Sequence, residues 1–112
     1  MRYTLLIYVD QNIYEKQSPE EMQALSDAYN SFGEQFKDKI KGGEALLPTA
    51  SATTVRVREG RKLLSQGPVV ATKEQCCGHY LLNCRDLDEA VAVAARIPSA
   101  KNGAVEVRPI ID

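Results

Sequence analysis

The chain has one histidine, three cysteines and no CxxC pair among its 112 residues, and each shortage removes a class of function. An odd cysteine count with Cys76 and Cys77 adjacent does not form the even, spaced framework of a small secreted disulfide protein. Without CxxC there is neither a zinc ribbon nor a thioredoxin-type motif, so reduced thiols are expected, with no metal and no cofactor. Blocks of like charge are also missing: fourteen basic against fifteen acidic residues give a net charge of −1 and no electrostatic footprint for nucleic acid. The apolar run Leu5-Leu6-Ile7-Tyr8-Val9 is too short to cross a bilayer and lacks a small-residue cleavage site. The expectation is therefore a cytoplasmic protein with no membrane partner.

What is present is an ordinary globular balance, 44% hydrophobic and 26% charged, in the length of one domain spanning residues 1–112. Residues 3–9 are almost continuously apolar, as in a central strand covered on both faces. Asp10-Gln11-Asn12 ends that strand, and a short loop is expected up to Ser18. Ser18, Pro19 and Glu21 then form a capping box with proline at the first helical position. Met22, Leu25, Tyr29, Phe32, Phe36 and Ile40 recur at three- and four-residue steps, which predicts one packing stripe. With Gly42-Gly43 as the stop, the helix would run to roughly 35 Å.

Pro48 and small residues make 44–51 an irregular or edge segment. Thr53 to Arg58 alternates with period two, placing Val55 and Val57 inward and Arg56 and Arg58 outward. Glu59-Gly60 turns the chain into a partner strand, Arg61 to Ser65, which Gln66-Gly67-Pro68 breaks. The next strand starts at Glu74 or Gln75 and carries Cys77, His79, Leu81 and Asn83 on one face. Asp86 caps a second helix with Glu89 at the box position and Ala90, Val91, Val93, Ala94 and Ile97 on its buried side. Pro98 ends it, and Ala104 to Arg108 is the last strand.

The order β, long α, β-hairpin, β, α, β is that of an α+β, ferredoxin-like split βαβ fold with an antiparallel sheet and an elaborated hairpin. Its helices cover one face only. A second copy is the simplest cover for the other, so a homodimer is expected in which two sheets form a dimeric α/β barrel.

Several fragments carry a family resemblance over nearly the full length: the opening Met1-Arg2-Tyr3-Thr4-Leu5-Leu6-Ile7-Tyr8, Ser18-Pro19-Glu20-Glu21, and Gly42-Gly43-Glu44-Ala45-Leu46. Ala52-Thr53-Thr54-Val55-Arg56, Gly67-Pro68 with Thr72-Lys73-Glu74-Gln75, and Val105-Glu106-Val107-Arg108-Pro109 complete the set. Together they resemble the YCII-related family, and within it the DGPF subgroup. The resemblance implies the dimeric barrel and a cleft near the motif, but no established activity. It also implies an association with alternative sigma factors for a structural or regulatory role. The subgroup's Asp-Gly-Pro-Phe is here Gln66-Gly67-Pro68-Val69, and its acidic residue two before Lys73 is Ala71. A carboxylate and an aromatic ring are thus lost.

His79 is the one side chain whose unperturbed pKa lies near neutrality, so it is the candidate general base, although in the resembling family its place is usually held by an aromatic residue. Cys77 lies two residues before it, on the same face if the strand is regular, roughly 6.5–7 Å away. A Cys-His contact can activate a thiolate. Lys73, Glu74 and Arg56, with Gln66, form a candidate polar cleft for a small carboxylate-bearing ligand. Three readings follow: a cleft binding a small polar ligand or regulatory partner near residues 66–79, an enzyme using His79 and Cys77, and a purely structural interaction module.

Overall fold

In the computed structural model, which describes all 112 residues, β1 (Arg2–Asp10) is a central strand, as the apolar run predicts. It pairs antiparallel with β5 (Glu74–Asn83) on one side and with β6 (Ala104–Pro109) on the other. β2 (Ile40–Ala45) pairs antiparallel with the outer side of β5, giving the sheet order β2-β5-β1-β6. With the hairpin set aside, this is the ferredoxin-like order. Helices α1 (Gln11–Glu15), α2 (Pro19–Gln35) and α3 (Leu87–Ala94) complete the main body, and none is long and apolar enough to cross a membrane.

Strand alternation decides what the core contains. Tyr3, Leu5, Ile7 and Val9 of β1 are all at most 3% exposed, packed with Leu82, Phe32, Ala90, Val93, Ala94 and Ile97. The other face of β1 carries Thr4, Leu6 and Tyr8, directly opposite Leu81, His79 and Cys76 of β5. All but Leu81 are half-buried, and Leu81 is exposed, so nothing in the chain covers this face fully.

Both expected helix starts form. Ser18 Oγ accepts from Glu21 N–H while Glu21 Oε1 accepts from Ser18 N–H, each at 3.1 Å. Asp86 Oδ1 accepts from Glu89 N–H at 2.9 Å. Three expectations are corrected. The segment after β1 is not a loop: Asp10 Oδ1 caps the short helix α1 by accepting from Asn12 N–H. Helix α2 stops at Gln35 and is about 26 Å long, because Ile40 to Ala45 leave the stripe to form β2. Gly43 is there for close approach rather than as a helix stop, since a Cβ at that position would lie 2.5 Å from the His79 carbonyl oxygen.

The third correction concerns the hairpin. β3 (Thr53–Arg58) and β4 (Arg61–Gln66) pair only with each other, through a turn in which Glu59 (φ 52°) and Gly60 (φ 73°) are both left-handed. Val55 and Val57, expected inward, are 56% and 60% exposed because no core of the same chain lies beneath them. The hairpin is an arm, and Gly67 closes its base: its N–H donates to Ala52 O at 2.7 Å and its carbonyl accepts from Thr54 Oγ1 at 2.7 Å.

The arm changes the size of the molecule. The radius of gyration is 15.8 Å, where a compact chain of this length would have about 13 Å. The accessible surface is 7876 Å², whereas a 12.4 kDa monomer of ordinary compactness exposes roughly 6,100 Å².

Candidate functional site

One irregularity in β5 organises the site. Ile7 pairs with Gly78 but Tyr8 pairs with Cys76, so Cys77 is the extra residue of a β-bulge. The bulge breaks the alternation that would put Cys77 beside His79. Cys77 instead packs against the core side with Tyr14 and Tyr29 as neighbours, whereas His79 shares the opposite face with Leu6 and Glu44. No hydrogen bond joins the two.

Beside the bulge, between the helix-facing side of the sheet and helices α1 and α2, lies a cavity of about 450 Å³. Its walls come from Ile7 and Val9 of β1, Tyr14 of α1, Leu25 and Tyr29 of α2, and Cys77 and Tyr80 of β5; Ala45, Leu46 and Pro48 enclose it at the sheet edge. Gln11, Glu15, Glu44 and His79 also border it. The α2 stripe is therefore a packing face only in its second half: Phe32 and Phe36 meet Tyr80 or each other with ring centroids 5.1–5.2 Å apart, whereas Leu25 and Tyr29 face the cavity.

Two of the lining residues, Tyr14 and Tyr29, join a cluster of three hydroxyls that the sequence did not disclose, completed by Ser99 behind the cavity wall. Ser99, 3% exposed in the turn Pro98–Lys101, hydrogen-bonds both Tyr14 Oη and Tyr29 Oη, the second at 2.6 Å. Three hydroxyls carry three protons, and two hydrogen bonds use two of them. One donor is left over. Gly103 N–H donates to the Ser99 carbonyl at 2.8 Å, which holds the turn in place.

Burial dominates the electrostatics. It pushes the Tyr29 phenol up to about 12 against the lowering effect of the Ser99 bond, and it raises Tyr14, Tyr80 and the Cys77 thiol in the same direction. The three phenols and the thiol therefore keep their protons at physiological pH. Because the folded phenol holds its proton more tightly, the unfolded chain ionises first as pH rises through 10, and stability falls until the folded value near 12 is passed. Thermal unfolding across this range should show a steeper decline for the native chain than for Tyr29→Phe; equal slopes would contradict the burial argument.

The other residues singled out in the sequence lie elsewhere. Lys73 and Glu74 border a broader, more open groove of about 760 Å³ with Asp10, Thr72, Asn102 and Glu106. Arg56 is half-buried on the arm, and Gln66 at the arm's base donates from Nε2 to Ala50 O at 3.4 Å. These four residues do not form one polar cleft, and none lines the tyrosine cavity. All three cysteines are free, and no three His, Cys, Asp or Glu side chains gather to hold a metal ion.

Comparison with known proteins gives three findings. The model of the YCII-related domain matches residues 1–112. An uncharacterised protein of Rhizobium meliloti (strain 1021) is 33% identical over 114 residues, covering 98% of this chain and 92% of that one. The solved structure of 5-chloro-2-hydroxyhydroquinone dehydrochlorinase from Burkholderia phenoliruptrix AC1100, in complex with 2,5-dihydroxybenzoquinone, has a TM-score of 0.53 at 15% identity. It covers 99% of this chain and 94% of its own, a likeness of fold.

Proposed function

The chain belongs to the YCII-related family, and from that premise we propose that it is a homodimeric binding protein whose cavity takes one small, mostly apolar ring carrying a hydroxyl or carbonyl oxygen. The observation that carries this reading is the spare hydroxyl proton at the Tyr14–Ser99–Tyr29 cluster, beside walls that are mostly apolar, with Gln11, Glu15, Glu44 and His79 at their border. A ligand oxygen accepts that proton, and the ring fills space lined by Ile7, Val9, Leu25 and Tyr80. A cavity of about 450 Å³ lies within the range of small-molecule sites. The expected small polar ligand thus becomes an amphipathic one, held by neutral groups rather than by Arg56 or Lys73.

Binding ranks ahead of catalysis by His79 and Cys77. The bulge separates the two side chains, and burial keeps the Cys77 thiol protonated, which weakens it as a nucleophile. Dimerisation rests on the incompletely covered sheet face around Leu6, Tyr8 and Leu81. Membership of the DGPF subgroup is part of this reading; the tetrapeptide Gln66-Gly67-Pro68-Val69 that resembles its motif lies at the base of the arm, where the glycine's φ of 107° makes its identity a backbone requirement.

Titration calorimetry tests the binding reading, with hydroquinone, phenol and cyclohexane carboxylate as probes. At least one oxygenated ring should bind, the aliphatic carboxylate should not, and Tyr29→Phe should weaken binding about five- to tenfold, the value of one neutral hydrogen bond. No binding by either ring, or tighter binding of the carboxylate, would sink it.

A further inference from the structure

The arm, β3 and β4, has two unlike faces. Alternation and register put Val55, Val57 and Leu64 on one side, with Lys62 near the turn, and Arg56, Arg58, Arg61 and Leu63 on the other. The first side is a bare apolar strip, its three hydrophobic residues 56%, 60% and 61% exposed. An isolated two-stranded hairpin is marginal in water, and such a strip has no reason to be ordered without a cover.

We infer that the arm is a clasp: its Val55–Val57–Leu64 face lies on the body of a second copy of the chain. This rests on the homodimer proposed above and specifies how the two copies hold each other. The surface areas fit this occupant. Each chain exposes roughly 1,700 Å² more than a compact monomer of its mass, an amount in keeping with the larger, obligate class of dimer interfaces. The charges fit as well. Thr53 to Gln66 carries four basic residues and one acidic, a local net of +3, which leaves −4 on the rest of a chain whose total is −1. Arg56, Arg58 and Arg61 lie on the arm's other side and only Lys62 shares the apolar face, so this charge difference steers two copies together and does not choose the face that docks. When the same two copies exchange arms, each clasping the other, the contact closes as a two-fold dimer without extending into a fibre.

Sedimentation equilibrium on the full chain tests the clasp. Val57→Lys and Leu64→Lys should each raise the dimer dissociation constant at least tenfold, and the pair at least a hundredfold. Leu63→Lys, on the other side of the arm, should leave it unchanged. Circular dichroism and probe binding should show an intact body in all variants, since the arm lies outside the core. If Leu6→Lys on the open sheet face breaks the dimer while the apolar-side arm variants do not, the dimer stands and the clasp is overturned. Equal losses from Leu63→Lys and Leu64→Lys would overturn it too. A native chain that sediments as a monomer removes both readings.

Discussion

Adding a single methyl group at Gly103 is expected to lower stability by about 3 kcal/mol, the upper end of what overpacking costs. A Cβ there would lie 2.1 Å from the Tyr8 carbonyl oxygen and 3.2 Å from that of Ser99. Both neighbours are backbone, and neither can swing aside as the tip of a side chain would. Tyr8 is fixed in β1 between β5 and β6, so the turn Pro98–Lys101 has to yield. That turn holds Ser99 against the two tyrosines, so the damage reaches the cavity. Urea denaturation of Gly103→Ala should show the loss directly, and the melting temperature should fall by about 10–20 °C. The surviving folded fraction should bind the oxygenated ring more weakly. A variant as stable as the native chain would mean that the turn is more pliant than its contacts imply.

Ala45→Phe is expected to do the opposite: to remove binding at least a hundredfold and leave stability within about 0.5 kcal/mol. Ala45 is an exposed residue at the end of the edge strand β2, opposite Gly78, and it borders the cavity. A phenyl ring there fits strand conformation and has no side chain facing it across the strand pair. It occupies the space the ligand needs. Calorimetry with the probe that binds best reads the loss, and Ala45→Ser serves as the control that should bind normally. If the phenylalanine variant retains native affinity, the ligand lies elsewhere, and the groove at Lys73 and Glu74 becomes the place to look.

Much of the fold was legible because its signals are local. The apolar run of β1, the Ser18–Glu21 box and the Glu59-Gly60 turn each depend on a few adjacent residues, and each formed as expected, whereas α3 ends at Ala94, ahead of the expected Pro98 stop, and Pro98 opens the following 3-10 turn. The errors came where distant partners decide. Ile40 continues the helical stripe by spacing, yet β5 offers it a strand edge and takes it. Val55 and Val57 alternate like core residues, although no core of their own chain exists for them. Most of the site was illegible for the same reason. Tyr14 lies on a helix announced only by Asp10 as a cap, and Ser99 looks like an ordinary turn residue until the fold brings it to Tyr14 and Tyr29. Cys77 was singled out correctly as unusual but for the wrong partnership, because a bulge leaves no mark in a pattern of alternating residues.

The Ser99 cluster also orders events in time. Its bonds join residues 85 and 70 positions apart in the chain, from α1 and α2 to the turn before β6. During synthesis the N-terminal helices leave the ribosome well before Ser99 and Gly103 exist, and the strand that flanks β1 on its second side emerges later still. Two tyrosine hydroxyls therefore wait, wetted and unanchored, until Ser99 has been made. The cavity's hydroxyl cluster is thus completed after its walls have been made, and a nascent chain that stalls before Pro98 carries Tyr14, Tyr29 and Cys77 without the serine that joins the two phenols.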